Sequence, residues 1–432
     1  MKQIEKIVWV AFGLSTLSMA QWSVDGEFRA RFESFENMNE KFYGTNPTLG
    51  ESDDSYLMTR VRLGLSYKFN ENVSLRASLQ DSRVLGWGFE DSDWYNKEFN
   101  QEHNPQQDNT ELYELHLKYQ YNNLSITLGR QKITYGDYRV FGPGEWKNSG
   151  KWLWDGVKLS YTKGENFVDI FYARNVLHDP DELSFNGRHG YEAVGVYGHY
   201  VLDSWGVIEP IFAYKHNDKA NEVYNELTSY YVGFRAYNED IGGFFYDTTY
   251  IQSFGDYTKL DGTTVDSEGE GFHIDGGYSF KSLKTKIGLG YTYASGDDPN
   301  TQERELFDGV FGASDKYYGR LNLFEWSNLL DYELFVITQA LPDTHIKLEY
   351  HKFYANKPTN KWKSYAIASM RNDEYGDEID LVATYDYNKD IQLMLGVSYF
   401  AAGDYIQEAA TQNNAISDDD AYGIFAQVQY KF

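Results

Sequence analysis

From Trp22 to Phe432 the chain repeatedly alternates apolar and polar side chains at every second position. Leu57, Thr59, Val61, Leu63 and Leu65 share one face of a stretch whose other face carries Arg60, Arg62 and Ser66. Ile287, Leu289, Tyr291 and Tyr293 alternate with Lys286, Gly288, Gly290 and Thr292. Ile391, Leu393, Leu395, Val397 and Tyr399 alternate with Gln392, Gly396 and Ser398. The last residues repeat the pattern: Tyr422, Ile424, Ala426, Val428, Tyr430 and Phe432 oppose Gly423, Phe425, Gln427, Gln429 and Lys431. A period of two places such sets on opposite faces of a β-strand. One strand of this kind fits a soluble antiparallel sheet equally well, so the connections have to decide.

Short and long connections alternate. Tight ones fall at Phe69–Asn72, Tyr121–Asn123, Thr162–Asn166, Asn238–Ile241, Ala340–Asp343 and Tyr387–Asp390. Between them lie long, acidic, glycine-rich segments at Glu36–Asp54, Leu85–Thr110, Thr134–Lys151, Leu177–Gly190, Gly255–Gly269, Ser295–Ser327, Ala355–Tyr375 and Ala401–Asp419. A sandwich has no reason to gather its long loops at one end, whereas an outer-membrane barrel has short periplasmic turns and long extracellular loops. Strands near the roughly 9–11 residues that cross a bilayer at a tilt must close on themselves, because lipid offers no partner to an open edge. The pattern predicts an all-β fold: a transmembrane antiparallel β-barrel of about 18 strands.

The first twenty residues stand apart. Lys2 and Lys6 precede an apolar run from Ile7 to Leu17, and Ser18-Met19-Ala20 supplies small residues for cleavage. This is the layout of a secretory signal peptide, so 1–20 is expected to be removed and 21–432 to form a single barrel domain. The composition agrees: 38 Tyr, 27 Phe and 10 Trp accompany a mean hydropathy of −0.60. Many aromatics without long apolar blocks suit an aromatic-rimmed outside and a polar inside. The absence of cysteine excludes disulfides, thiolate metal sites and a thiol nucleophile. The formal charge is −26, and the signal's net +1 leaves −27 for the mature chain. Such a chain repels nucleic acid, and no basic cluster offsets that.

Against this acidic background, the polar faces of the opening strands carry Arg29, Arg31, Arg60, Arg62 and Arg76, with Lys118, Lys158 and Arg235 further along. A charge on the lipid face near the midplane costs about 2–4 kcal/mol, so these side chains are expected in the lumen. Rings of Arg and Lys select anions, and a guanidinium holds a carboxylate bidentately. The plainer alternative is that each arginine pairs with a lumenal acid such as Asp25, Glu27, Glu33 or Glu114; the five arginines outnumber the acids near them. Strict alternation from Leu124, Ile126 and Leu128 puts Arg130 on the lipid face. Either a bulge at Gly129 turns it inward, or it lies at the extracellular rim. In the following loop, Asp137 and Arg139 either pair to fix the chain or contact substrate. Trp146, Trp152 and Trp154 either stack on sugar rings or belong to the interfacial girdle.

The stretch Leu128–Tyr161 holds Gly129-Arg130-Gln131, Gly136-Asp137-Tyr138-Arg139, Trp146-Lys147-Asn148 and Asp155-Gly156-Val157. It resembles the alginate-export family of outer-membrane channels. A second matching stretch is Tyr293–Asn300, followed by Phe307-Asp308, Tyr318-Gly319 and Trp326-Ser327-Asn328. The resemblance implies a monomeric barrel of about 18 strands in the outer membrane of a Gram-negative cell, amid lipid and lipopolysaccharide. It further implies loops folding into the pore, a positively charged constriction, recognition of Phe432 by barrel-assembly machinery, and periplasmic polysaccharide-export components as partners.

Other chemistry has less support. His199, His273, His345 and His351 fall on strands without a nucleophile motif, which leaves a barrel enzyme as the weaker reading. Acidic runs at Glu51–Asp54, Asp179–Glu182, Gly296–Asn300 and Ser417–Asp420 offer at most weak Ca²⁺ binding; no other metal or cofactor is expected. The sequence therefore points to a channel for an anionic polysaccharide such as alginate or related acidic sugars. A general or anion-selective diffusion porin is the alternative.

Overall fold

The computed structural model describes residues 21–37, 53–86, 95–96, 101–102, 106–142, 144–150, 153–177, 183, 188–217, 225–312, 317–360, 362, 370–412 and 417–432. The proposed signal peptide, Trp152 and the acidic run 179–182 lie outside these residues. The strands are β1 (Trp22–Glu36), β2 (Asp54–Lys68), β3 (Val73–Leu85), β4 (Tyr95–Asn96), β5 (Gln101–Glu102), β6 (Asp108–Tyr121) and β7 (Leu124–Lys132). Next come β8 (Leu153–Lys163), β9 (Asn166–Leu177), β10 (Arg188–Val201), β11 (Val207–Asn217), β12 (Glu226–Ile241) and β13 (Phe244–Thr258). The last are β14 (Thr264–Phe280), β15 (Thr285–Ala294), β16 (Leu329–Leu341), β17 (Thr344–Tyr354), β18 (Glu374–Asp386), β19 (Ile391–Ala402) and β20 (Ala421–Lys431).

All but β4 and β5, which pair only with each other, form one 18-stranded antiparallel sheet. β1 pairs with β2 on one side and with β20 on the other, so the sheet closes. The sequence reading of a closed barrel of about 18 strands holds.

Burial follows the period of two. In β1 the odd positions Glu27, Arg29, Arg31 and Glu33 are buried while Phe28 and Phe32 are each 42 % exposed. Val61, Leu63, Leu117, Ile126, Leu159 and Leu395 likewise face outward. Exposed aromatics gather toward both ends of the wall: Trp22, Phe69, Tyr121, Trp205, Phe244 and Tyr387 near the short turns, and Tyr172, Tyr230, Phe254, Tyr332 and Tyr422 near the long loops. Amphipathic rings at these two levels are what a membrane-spanning barrel requires.

Four connections differ from the expected ones. Asn238–Ile241 is not the turn; β12 runs through it with a register irregularity, and the chain reverses at Gly242–Gly243. Those glycines adopt φ of 65° and 98°, the region that residues with a Cβ avoid. The expected loop Gly255–Gly269 shrinks to residues 259–263 because β13 and β14 pair beyond it. The break between the end of β11 at Asn217 and the start of β12 at Glu226 was not expected, and the connection before β20 contains the helix α1 (Asp404–Gln412), whose Tyr405, Ile406 and Ala409 are buried.

The barrel is not hollow at its extracellular half. The loops after β7 and β15 enter it and pair with each other. Phe141 bridges both Tyr135 and Phe311, and Gly142 N–H donates to the Phe311 carbonyl at 3.2 Å. Around that seam Trp154, Phe171, Tyr197, Phe307 and Trp326 pack into an aromatic core. Gly312 is required there, because a Cβ would lie 1.6 Å from the Arg139 carbonyl oxygen. The loops narrow the lumen toward the wall of β1–β3.

Candidate functional site

On that wall β1, β2 and β3 align their inward arginines. Arg29 stands across from Arg60, Glu27 across from Arg62, and Arg62 in turn across from Gln80. The loop after β7 crosses in front of them and offers mostly carbonyls. Arg29 donates to the Glu145 carbonyl at 2.8 Å and to Asn148 Oδ1 at 3.1 Å. Arg60 donates to the carbonyls of Glu145 at 3.1 Å and Lys147 at 3.4 Å. Three cations meet the Glu145 carboxylate: Arg62 at 2.7 Å, Lys132 at 3.1 Å and Arg60 at 3.2 Å. Burial alone would raise the pKa of Glu145; Arg62, Arg60 and Lys132 overcome this and hold it well below its ordinary 4.5.

A cavity of about 760 Å³ opens beside this cluster. Its charged side chains are seven basic ones, Arg29, Arg60, Arg62, Arg76, Lys132, Arg320 and Lys431, against four acidic ones, Asp25, Glu27, Glu114 and Glu145. The local balance is therefore +3 within a chain of net −26. Tyr113, Tyr138, Trp146 and Tyr317 add aromatic surface, and Gln392, Gln427 and Gln429 add neutral polar groups. The Tyr113 ring lies beneath Arg62, 4.1 Å from the guanidinium, and stiffens it.

The ten basic residues singled out in the sequence separate into those that line the cavity and those, Lys118 among them, that do not. Arg29, Arg60, Arg62 and Arg76 line the cavity. Arg31, 1 % exposed, lies under the Trp146 ring at 4.1 Å and pairs with Glu33 at 2.7 Å, off the cavity wall. Lys158 pairs with Asp169 at 3.2 Å, and Arg235 with Glu209 at 2.9 Å and with Asp247; neither lines the cavity. Arg130 is not turned inward. β7 pairs with β6 and β8 in unbroken register, so no bulge forms at Gly129. Arg130 stays on the outward parity near the loop end of β7, donating to both Asp155 oxygens at 2.9 and 3.0 Å.

Arg139 joins the two inserted loops to the wall. It contacts Asp137 at 3.2 Å, the Tyr318 hydroxyl at 3.1 Å and His273 Nε2 at 3.2 Å, and the Tyr317 hydroxyl donates to the Asp137 carbonyl. Burial opposes ionisation of Asp137, yet Arg139 and Arg235 keep its pKa below the ordinary value. Trp146 and Trp154 are inside the barrel rather than in the girdle: Trp146 lies against Phe425 with ring centroids 5.0 Å apart, and Trp154 is 1 % exposed.

One correction concerns the acids. The expectation that they are too few for the arginines overlooked Glu145, which belongs to a loop distant in sequence. Arg60 also pairs with Glu27 at 2.7 Å, and Arg76 with Asp25 and with Glu114 at 3.6 Å. Among the described residues only Arg29 of the five opening arginines has no carboxylate within 4 Å. Its Nε is buried without a hydrogen-bond partner. Glu145, Lys132 and Arg320 were missed because each acquires its place from a loop or a strand end, where the period of two carries no information. The acids of 296–300 serve their own turn: Asp298 accepts from Asn300 N–H at 3.0 Å and pairs with Lys357 at 3.3 Å.

A closed 18-stranded barrel with an apolar outer band, two aromatic rims and a charged, loop-narrowed lumen defines an outer-membrane channel protein. The alginate export family pattern matches residues 20–417, and the chain belongs to that family. Solved structures agree on the fold at low identity. OccAB3 of Acinetobacter baumannii superposes with a TM-score of 0.65 at 9 % identity, covering 96 % of this chain and 100 % of that one. OccAB1 of the same organism gives 0.62 at 12 %, covering 95 % and 97 %. OccK8 (OprE) of Pseudomonas aeruginosa gives 0.60 at 13 %, covering 95 % and 98 %. Comparison with curated protein sequences finds no match.

Proposed function

We propose that the barrel passes an anionic polysaccharide, alginate or a related polymer of acidic sugars, along the arginine wall of β1–β3. The observation that carries this reading is Glu145. The wall and Lys132 already hold one carboxylate, so the groups that would hold a uronate are present and correctly spaced for it. Arg29, which has no carboxylate partner among the described residues, stands beside it with its donors on the Glu145 carbonyl and Asn148. A carboxylate of the polymer displaces Glu145, is held by Arg60 and Arg62, and moves on, each contact weak enough to release as conduction requires. The working unit is the monomer, embedded in lipid and lipopolysaccharide and joined to periplasmic export components.

A diffusion porin with broader anion preference is the second reading. The ion pairs that already satisfy most of the arginines, and the neutral glutamines beside them, favour it. Barrel enzymology has weaker support: His273 comes within 2.9 Å of the Thr292 hydroxyl, but it is 2 % exposed and its other nitrogen lies against Arg139. Reversal potentials of the reconstituted channel in a salt gradient test the selectivity. Anion preference is expected despite the net charge, and cation preference would contradict it.

A further inference from the structure

On the wall of β16, β17 and β18, away from the arginine cluster, five carboxylates converge: Asp331, Glu333, Glu349, Glu378 and Asp380. Two of them dock the loop after β15. Leu321 N–H donates to Glu378 at 2.8 Å, and Arg320 N–H to Asp380 at 3.1 Å. The other three surround His351. Glu333 is the cross-strand partner of His351, and Glu349 lies two residues before it on the same face. One oxygen of Glu333, one of Glu349 and a ring nitrogen of His351 lie within 4.8 Å of one another.

His351 is the independent sign that something belongs there. It is 1 % exposed and fixed from two directions. Nδ1 lies 3.0 and 3.1 Å from the two Asp331 oxygens, and the ring stacks on Phe353 at 5.3 Å with 7° between planes. Nε2 is buried without a hydrogen-bond partner. Buried polar atoms are nearly always satisfied, so such an orphan calls for an explanation. With Nδ1–H donating to Asp331, the neutral imidazole presents Nε2 as a lone pair. That is how a carboxylate orients a metal-ligating histidine.

We infer that Glu333, Glu349 and His351 Nε2 form a binding site for a divalent transition-metal ion of the zinc class, with Asp331 as the positioning residue. One imidazole and two carboxylates suit such an ion, whereas Ca²⁺ and Mg²⁺ prefer oxygen alone. Three protein ligands leave a coordination position for water or a solute from the lumen. Lys347 is the internal competitor, since its ammonium pairs with Glu349 and lies 3.9 Å from Glu333. Its side chain is 30 % exposed, so it has room to withdraw when the ion enters. Arg320, which lines the arginine cavity, also reaches Glu349 at 3.4 Å. Loading the site therefore frees Arg320 toward the cavity.

The test uses the full barrel in detergent, stripped with chelator and titrated with Zn²⁺ alone; Co²⁺ serves as a spectroscopic substitute, and heat-modifiable migration verifies the folding of each variant. One equivalent of Zn²⁺ is expected to bind, and Co²⁺ to give a d–d spectrum. Asp331→Asn should weaken binding about 10–100-fold, as loss of an orienting partner does. His351→Gln should weaken it further, and Lys347→Met should tighten it. Failure of both parent and Lys347→Met to bind one equivalent would overturn the site, as would unchanged binding by folded His351→Gln. Should His351→Gln not fold, Lys347→Met decides alone: affinity equal to that of the parent would place the ion elsewhere.

Discussion

Glu145 occupies the place where the wall and the loops meet, and its substitution reports on both. Its carboxylate is 38 % exposed to the lumen, so solvent screens its ion pairs and their value lies in position more than in stability. Glu145→Gln removes one of four acids from the cavity lining and takes the carboxylate from Arg62 and Lys132, while Arg60 keeps Glu27. The reversal potential should move further toward anions, and an unchanged value would show that Glu145 does not face the permeation path. The sign of the pH effect follows from its depressed pKa. A group stabilised as an anion contributes fully above its unfolded value, near 4.5, and loses that contribution only as pH falls through the lower folded value. Single-channel conductance should therefore be unaffected by Glu145 titration between about pH 8 and 5, as current recordings across that range will check. The Arg130–Asp155 pair makes the contrasting case. Asp155→Asn takes the bidentate partner from a 5 %-exposed guanidinium, which keeps the Leu112 carbonyl and Glu111 at 3.7 Å, and should cost roughly 1–3 kcal/mol in barrel stability. It should leave selectivity unchanged, which unfolding titrations and reversal potentials measured together will establish.

Among the elements, strand alternation was the feature most legible in the sequence, because a wall with lipid outside and charge inside imposes the period of two on every strand. It led directly to the inward placement of Arg29, Arg60, Arg62 and Arg76. Connections were legible only where they were tight. Asn238–Ile241 has the composition of a turn, yet Asn238 caps Asp240 N–H at 3.0 Å within an irregular strand end, and the reversal belongs to the two glycines that follow. The inserted loops were illegible, since no local pattern announces that Gly142 will pair with Phe311 or that Glu145 will reach Arg62. Barrel closure offers a prediction at this scale. Gly26 and Phe432 exchange both backbone hydrogen bonds at 3.1 Å, and the Phe432 ring occupies the space a Gly26 Cβ would need, 2.5 Å away. Gly26→Val should displace the ring and reduce the yield of heat-modifiable folded barrel in the outer membrane; a yield equal to that of the parent would remove this contact from the account of closure.

At the scale of the whole molecule, the net charge and the pore disagree in sign, and the location of the charges explains it. Much of the acidic excess lies in the loops, whereas the cavity beside β1–β3 carries seven basic groups against four acidic ones. The Debye length near physiological ionic strength is about 8 Å, so distant loop acids act weakly on a solute held at the arginine wall. The decisive measurement is the block of single-channel current by sugar oligomers of matched length. Uronate oligomers should reduce the current reversibly and neutral oligomers far less, and Arg60→Glu with Arg62→Glu should largely abolish the uronate block in a folded barrel. Equal block by acidic and neutral oligomers, or a double variant that blocks as the parent does, would contradict the anionic-polysaccharide reading.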